Sequence, residues 1–315
     1  MSKKKLQAAM QRQRIWILTA ALLCLVVIIF WLIWAQPWRV FFPNDGYRYV
    51  IGVSQQNVVT SREIALKQEL RQAVEGDDDV NLILANAHGS IENQQQQIES
   101  LMRQRVDAII VDSASAAALR DTLASVQGAG IPLILVGDES LSGMPCDLLL
   151  VNDYAHIGRL AGEYFSREVQ GADSILEVQG IPRSTEAQTL QAGLRLGMAE
   201  EGRIACTIAG YHSRAIAGQR IRDSLVSTAP FDIHAVFAHD TELASGVLDS
   251  LGDLPVVCVQ YGEPMQALPF HAVVQADPGG AHALEAAMAL LAQKPTDSAV
   301  VLLPAELKLL KEVAP

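Results

Sequence analysis

Catalysis would require a nucleophile, a base or metal ligands at workable spacing, and this sequence offers none. Its seven histidines are scattered without metal-ligand spacing, and the His239-Asp240 pair comes with no nucleophile signature. No Walker loop, no His-Glu-x-x-His and no nucleophile elbow is present. Of four cysteines, Cys24 lies in a long apolar run, while Cys146, Cys206 and Cys258 sit singly beside or within apolar segments. That pattern suits buried thiols better than a disulfide framework or a zinc site. Carboxylates do stand at the ends of apolar runs, at Asp112, Asp138 and Asp240, where each can cap the helix that follows. The expectation is a protein that is not an enzyme and that needs neither cofactor nor metal.

The elements around those residues alternate. From Tyr49 onward, short runs rich in Val, Ile and Leu are separated by helix-length amphipathic stretches. Runs such as Val50–Val53, Ala108–Val111, Pro132–Val136 and Leu148–Val151 lack polar alternation, as strands covered on both faces of a parallel sheet do. A second set follows at Ile175–Val178, Ala235–Ala238, Val256–Val259, Val273–Val274 and Val300–Leu303. The intervening helices are expected near Arg62–Val74, Glu92–Arg103, Ile157–Val169 and Glu186–Glu200, among others. This is an α/β architecture. Around ten strands strain a single twisted sheet, so two doubly wound lobes of about five strands each are expected.

Residues Ile15–Trp38 form an uncharged apolar run of about 24 residues, long enough to cross a bilayer as one helix. Lys3, Lys4, Lys5, Arg12 and Arg14 precede it with no acid among them, which keeps a basic tail, 1–14, in the cytoplasm. Trp16, Trp31, Trp34 and Trp38 stand near its two ends, and its exit lacks the small-residue cleavage pattern of a signal peptide. The reading is an uncleaved single-pass anchor of the inner membrane, a tether over 39–48, and an extracytoplasmic domain over 49–315. The whole chain carries −11, and since the first five cations are unmatched the remainder carries −16. Such acidity disfavours a nucleic-acid partner.

Several local patterns fall in a telling order. Ile51-Gly52-Val53-Ser54 leads to Gln94 and Ile98, then to Arg105-Val106-Asp107-Ala108-Ile109-Ile110 and Gly130-Ile131-Pro132-Leu133-Ile134. Next come Asp153-Tyr154-Ala155-His156-Ile157-Gly158, Glu177-Val178-Gln179-Gly180 and Ala235-Val236-Phe237-Ala238-His239-Asp240. Val274-Gln275-Ala276-Asp277-Pro278 and Leu303-Pro304-Ala305-Glu306-Leu307 close the series. Together they resemble the periplasmic sugar-binding proteins of the ribose-binding class and the related effector domains of lac-repressor-type proteins, over nearly all of residues 49–311.

The resemblance implies a type I periplasmic-binding-protein fold with a ligand cleft between its lobes and three hinge crossings. These are expected near Val151–Asp153, near Gln275–Pro278 and at 297–300. One lobe would comprise about 49–151 and 278–297, the other about 152–275, with the strand 298–311 at the hinge. Positions aligning with family ligand contacts are Asn57, Asp112, Asp138, Asp240, Gln260 and Gln275, and Asp153 aligns with a hinge acid. Two departures stand out. The loop Gln55–Ser61 has none of the family's stacking aromatics, and Leu190 replaces an arginine that forks onto ligand hydroxyls. Arg183 either reaches in instead or points to solvent. The implied function is a membrane-anchored binding protein that takes up a small polar, carbohydrate-like ligand. Its partner would be an inner-membrane sensor kinase or an ABC transporter. The alternative is a degenerate cleft that has become a protein-interaction module.

Overall fold

The computed structural model describes residues 47–113, 116–169, 175–198, 204–227, 233–252, 254–262, 270–294 and 299–310. The chain divides into two units, Met1–Arg48 and Tyr49–Pro315, and every element below belongs to the second. Among the described residues no helix is long and apolar enough to cross a membrane. The expected span, 15–38, lies outside them.

Two six-stranded sheets carry the unit. The first, in the N-lobe, contains β1 (Tyr49–Gln55), β2 (Val80–Asn86), β3 (Ala108–Asp112), β4 (Leu133–Gly137), β5 (Leu148–Asn152) and β11 (Val300–Leu303), in the order β11-β5-β4-β3-β1-β2. The second, in the C-lobe, contains β6 (Ile175–Gln179), β7 (Ile204–Ala209), β8 (Ala235–Ala238), β9 (Val256–Tyr261), β10 (Ala272–Ala276) and β12 (Ala305–Leu309). Its order is β12-β10-β9-β8-β6-β7, and all pairs are parallel except β12 on β10. The expected α/β two-lobed fold is therefore present.

Each sheet is covered on both faces. Helices α1 (Ser61–Ala73), α2 (Ile91–Arg103), α3 (Ala116–Gly128) and α8 (Gly280–Leu291) wrap the first sheet. The second takes α4 (Tyr154–Glu168), α5 (Thr185–Gly197), α6 (Arg214–Ser227) and α7 (Thr241–Leu251). One apolar cluster, with Ile51, Val53, Leu66, Leu70 and Ile110, fills one face of the N-lobe sheet, and another, with Ile98, Ile109, Leu123 and Leu135, fills the other. Both faces of the strands are thus dry, which explains their unbroken apolar runs. Each fully buried Leu or Ile among them contributes about 1.5–3 kcal/mol.

The chain crosses between lobes three times. β5 passes through Asp153 into α4, and β10 returns through Asp277 and Pro278 to α8. The third crossing falls at Pro304, between β11 and β12, a few residues beyond the expected 297–300. Proline cannot donate to a sheet ladder, so the final stretch breaks there into two strands rather than running as one. Within the C-lobe, α4 and α5 pack backbone to backbone. A methyl group on Gly158 would collide with the Leu190 carbonyl oxygen, and one on Gly193 with that of Ala155.

Candidate functional site

The cleft is built from strand ends and the helix starts that follow them. Thr60 begins α1 with a reciprocal capping box: its hydroxyl accepts from Glu63 N, and the Glu63 carboxylate accepts from Thr60 N and Val59 N. This anchors the first turn of α1 over the carboxyl end of β1, and Arg62 lies in that turn. The Arg62 Nη2 donates to Asp112 Oδ1 at 2.7 Å, and Gln55 Nε2 donates to Asp112 Oδ2 at 3.1 Å. The strand register makes this possible, since Gln55 stands opposite Asp112 across the β1–β3 pair. Burial lowers the Arg62 pKa, but Asp112 outweighs it and the guanidinium ends above its ordinary value. Its Nη1 is buried with no hydrogen-bond partner.

From the C-lobe come Glu186 in the first turn of α5, and His212 just before α6. Asp240 caps α7 and Tyr261 ends β9. Asp240 Oδ1 accepts from Leu243 N at 2.8 Å, and its Oδ2 lies 2.6 Å from His212 Nδ1. Burial alone would lower the His212 pKa, yet the Asp240 hydrogen bond, with Glu186 and Asp240 charge, raises it. The Glu186 carboxyl is also pushed up, by burial first, with His212, His239 and Arg62 opposing. Tyr154, the first residue of α4, is buried and its phenol is driven well above the usual range by burial and then by Glu186 and Tyr261. Tyr261 is only 8% exposed; burial and Glu186 raise its pKa, and a hydrogen bond with Tyr154 opposes them. Arg62 and Glu186, from opposite lobes, act on each other and on both tyrosines. Ala65 of α1 packs into the same cluster as Tyr154 and Tyr261, and Gly262 leaves room for it.

Behind this group, Glu177 is fully buried on β6. It accepts from Gln191 Nε2 at 2.5 Å and Thr207 Oγ1 at 3.0 Å, and lies 3.0 Å from His239 Nε2. Burial opposes its ionisation, but the His239 hydrogen bond and charge hold the carboxyl below its ordinary value. Beside two of the crossings lies a cavity of about 390 Å³ lined by Glu69, Gly262, Gln275, Asp277, Pro304 and Glu306, among others.

The residues expected from the sequence fall into distinct roles. Asp112 is 2% exposed and is spent on Gln55 and Arg62. Asp138 takes the capping role, accepting from Ser140 N at the short helical turn Glu139–Leu141. Asp240 both caps and pairs with His212. Asp153 sits at the first crossing and caps α4 through His156 N. Asn57 is half-buried and its side chain accepts from Val58 N. Gln260 is buried on β9 beside Gln275 of β10. Gln275 Nε2 donates to the Gly262 carbonyl at 2.6 Å, and its Oε1 is buried without a partner. Arg183 is exposed, with its backbone in the left-handed region at φ 66°.

Leu190 is wholly buried in the C-lobe cluster that also holds Tyr154 and Leu194. A guanidinium there would have to leave that core. Sequence reasoning missed Arg62, Tyr154, Glu186, His212 and Tyr261. The capping box around Thr60 and Glu63 is the signal that places Arg62 at a strand end. Cys146, Cys206 and Cys258 are free thiols, and burial drives the Cys258 pKa well up.

Comparison with known proteins agrees with this fold. A periplasmic binding protein domain family model matches residues 51–270. The ribose import binding protein of Bacillus subtilis is 22% identical over 220 residues, 69% of this chain and 69% of its own. Among solved structures, the periplasmic binding protein of the arabinose ABC transporter from Shewanella sp. ANA-3, bound to L-arabinofuranose, superposes with a TM-score of 0.71. It is 22% identical, with 82% of this chain and 91% of that one covered. The fructose-binding periplasmic domain of a hybrid two-component system matches at a TM-score of 0.70 and 20% identity, covering 83% and 91%.

Proposed function

The chain belongs to the periplasmic binding protein domain family, and from that premise we propose that it binds a small polar, sugar-like ligand between its lobes and presents the closed state to a membrane partner. The observation that carries this reading is the meeting of Arg62 from one lobe with Tyr154, Glu186 and Tyr261 from the other, with Arg62 Nη1 buried and unpartnered. A buried donor left unmatched costs about 1–3 kcal/mol, so a ligand that satisfies it on closure gains that much. The tyrosines offer flat faces of the kind missing from the loop Gln55–Ser61. Asn57, Asp138, Gln260 and Gln275 complete the proposed contact set, with Asp153 turning at the hinge.

The apolar run Ile15–Trp38 supports an extracytoplasmic domain held at the membrane by a single anchor. A tether of that kind raises the effective concentration beside one neighbour and favours a dedicated sensor kinase or transporter over shared use. Relatives of both kinds are similar to this chain: one serves an arabinose transporter and one a two-component system.

A second reading, a cleft that has lost its ligand and serves protein contacts, draws on the burial of Leu190 in the core. Thermal unfolding of the full chain in detergent, titrated with pentoses, hexoses and polyols, separates the two. Saturable stabilisation, about 2.7 kcal/mol at a hundred times the dissociation constant, is expected. Its absence across the panel overturns the ligand-binding reading.

A further inference from the structure

We infer that the ligand of this cleft carries a protonated amine among its hydroxyls, as an amino sugar does, and that Glu186 receives that amine; this rests on the small-ligand reading above.

The charges in the cleft do not come out even. Arg62 is matched by Asp112 at 2.7 Å, and His212 by Asp240 at 2.6 Å. Glu63 is committed to the start of α1 and Asp138 to its own turn. Glu186 is left over: it is half-buried and, among the described residues, its carboxylate makes neither a hydrogen bond nor an ion pair. The cap that its helix needs is supplied by Ser184, whose hydroxyl accepts from Ala187 N, so Glu186 is not used for that purpose. The groups that act on it are His212, His239 and Asp240 of its own lobe and Arg62 from the other, and His212, His239 and Arg62 each already face a carboxylate, Asp240, Glu177 and Asp112 in turn.

Three ligand classes can be weighed against that arrangement. An acidic sugar meets no unmatched cation and a surplus carboxylate. A neutral sugar can satisfy Arg62 Nη1, but closure over it leaves the Glu186 charge uncompensated in a partly desolvated site. A cationic amine fills that vacancy, while a neighbouring hydroxyl takes the unmatched Arg62 donor.

The test is calorimetric titration of the full chain in detergent at neutral pH with two matched sets. One set is D-glucosamine, D-glucose and D-glucuronate; the other is D-galactosamine, D-galactose and D-galacturonate. In at least one set the amino sugar is expected to bind about tenfold more tightly than its neutral counterpart, a difference of about 1.4 kcal/mol, with the uronate weakest. Glu186→Gln should lose the preference for the amine, the ratio of amino-sugar to neutral-sugar affinity falling from about tenfold to about one. Equal or tighter binding of the neutral or acidic members in both sets overturns the inference and leaves the small-ligand reading standing. A preference that survives in Glu186→Gln overturns the assignment to that carboxylate. Failure of every sugar to bind, in wild type and variant alike, overturns the inference, and the small-ligand reading is then decided by the wider panel of pentoses, hexoses and polyols.

Discussion

Arg62 and Asp112, 50 residues apart in the chain, meet at 2.7 Å across the end of the N-lobe sheet, and the arginine keeps its other terminal nitrogen buried and unpartnered. One half of the guanidinium is fixed by the fold and the other half is held ready. Such a side chain is a structural element and, in the proposed function, a binding element as well, so its removal should register in both.

Arg62→Ala leaves the Asp112 carboxylate, 2% exposed, with Gln55 as its side-chain partner. Breaking a buried pair from one side is expected to cost about 3 kcal/mol in urea-induced unfolding. Replacing both partners, as Arg62→Met with Asp112→Leu, should recover most of that loss, because no lone charge is left behind. If the double variant is as unstable as the sum of the single ones, the two residues are not energetically coupled.

The α4–α5 contact should tolerate no side chain at its glycines. Gly193→Ala drives a methyl group into the Ala155 carbonyl oxygen, so the helices must separate. A loss of about 2–4 kcal/mol is expected, in the range of severe overpacking. Urea midpoints unchanged from wild type would mean that the helices slide apart freely.

His212 and Glu186 both make stability fall as pH rises, for opposite chemical reasons. The folded pKa of His212 is raised by its Asp240 hydrogen bond, against burial. Its contribution is therefore full below the unfolded value, about 6.5, and is lost as pH climbs through the raised folded value. His212→Asn should flatten that slope in melting temperatures measured from pH 6 upward, by roughly the stretch between those two values. A variant with the wild-type slope would remove His212 as its source.

For Glu186, burial raises the folded pKa, so the protein holds the proton more firmly than the unfolded chain does. Its charged form is a liability to the fold above the ordinary carboxylate range, about 4.3. Glu186→Gln is expected to melt higher than wild type at neutral pH, with the advantage fading as pH approaches 4. A carboxylate that weakens the empty fold is a reasonable mark of a binding residue. Lower stability of the variant at neutral pH would contradict this account.

Gln275→Ala should weaken ligand binding by about tenfold without unfolding the domain. Its amide donates to Gly262 O at 2.6 Å while its oxygen stands buried and open beside the hinge cavity. One lost charge-neutral hydrogen bond is worth about 1 kcal/mol, and the looser Gly262 adds to it. Full-affinity binding with a native melting curve would remove Gln275 from the contact set.

The two lobes were legible because parallel strands covered on both faces announce themselves as unbroken Val, Ile and Leu runs, and the helices between them were nearly as plain. The cleft was legible only in part. Asp240 and Asp112 could be read as strand-end carboxylates, yet their partners could not. Arg62 sits among polar residues that read as an exposed helix face, and it meets Asp112 only because β1 lies beside β3 in a register that no local pattern reveals. Tyr154 and Tyr261 are buried in the second lobe's core cluster, distant in sequence from the loop where the family resemblance led one to look for aromatics. Arg183, which the sequence left either reaching in or pointing to solvent, is an exposed side chain on a left-handed backbone.

Pro304 separates two short strands that finish two different sheets, β11 on the outer edge of one and β12 on the outer edge of the other. Neither sheet has its full set of strands until residues 300–309 have been made. Until that segment of about ten residues is in place both halves lack an edge strand, so one short stretch of chain completes the two sheets and fastens them together.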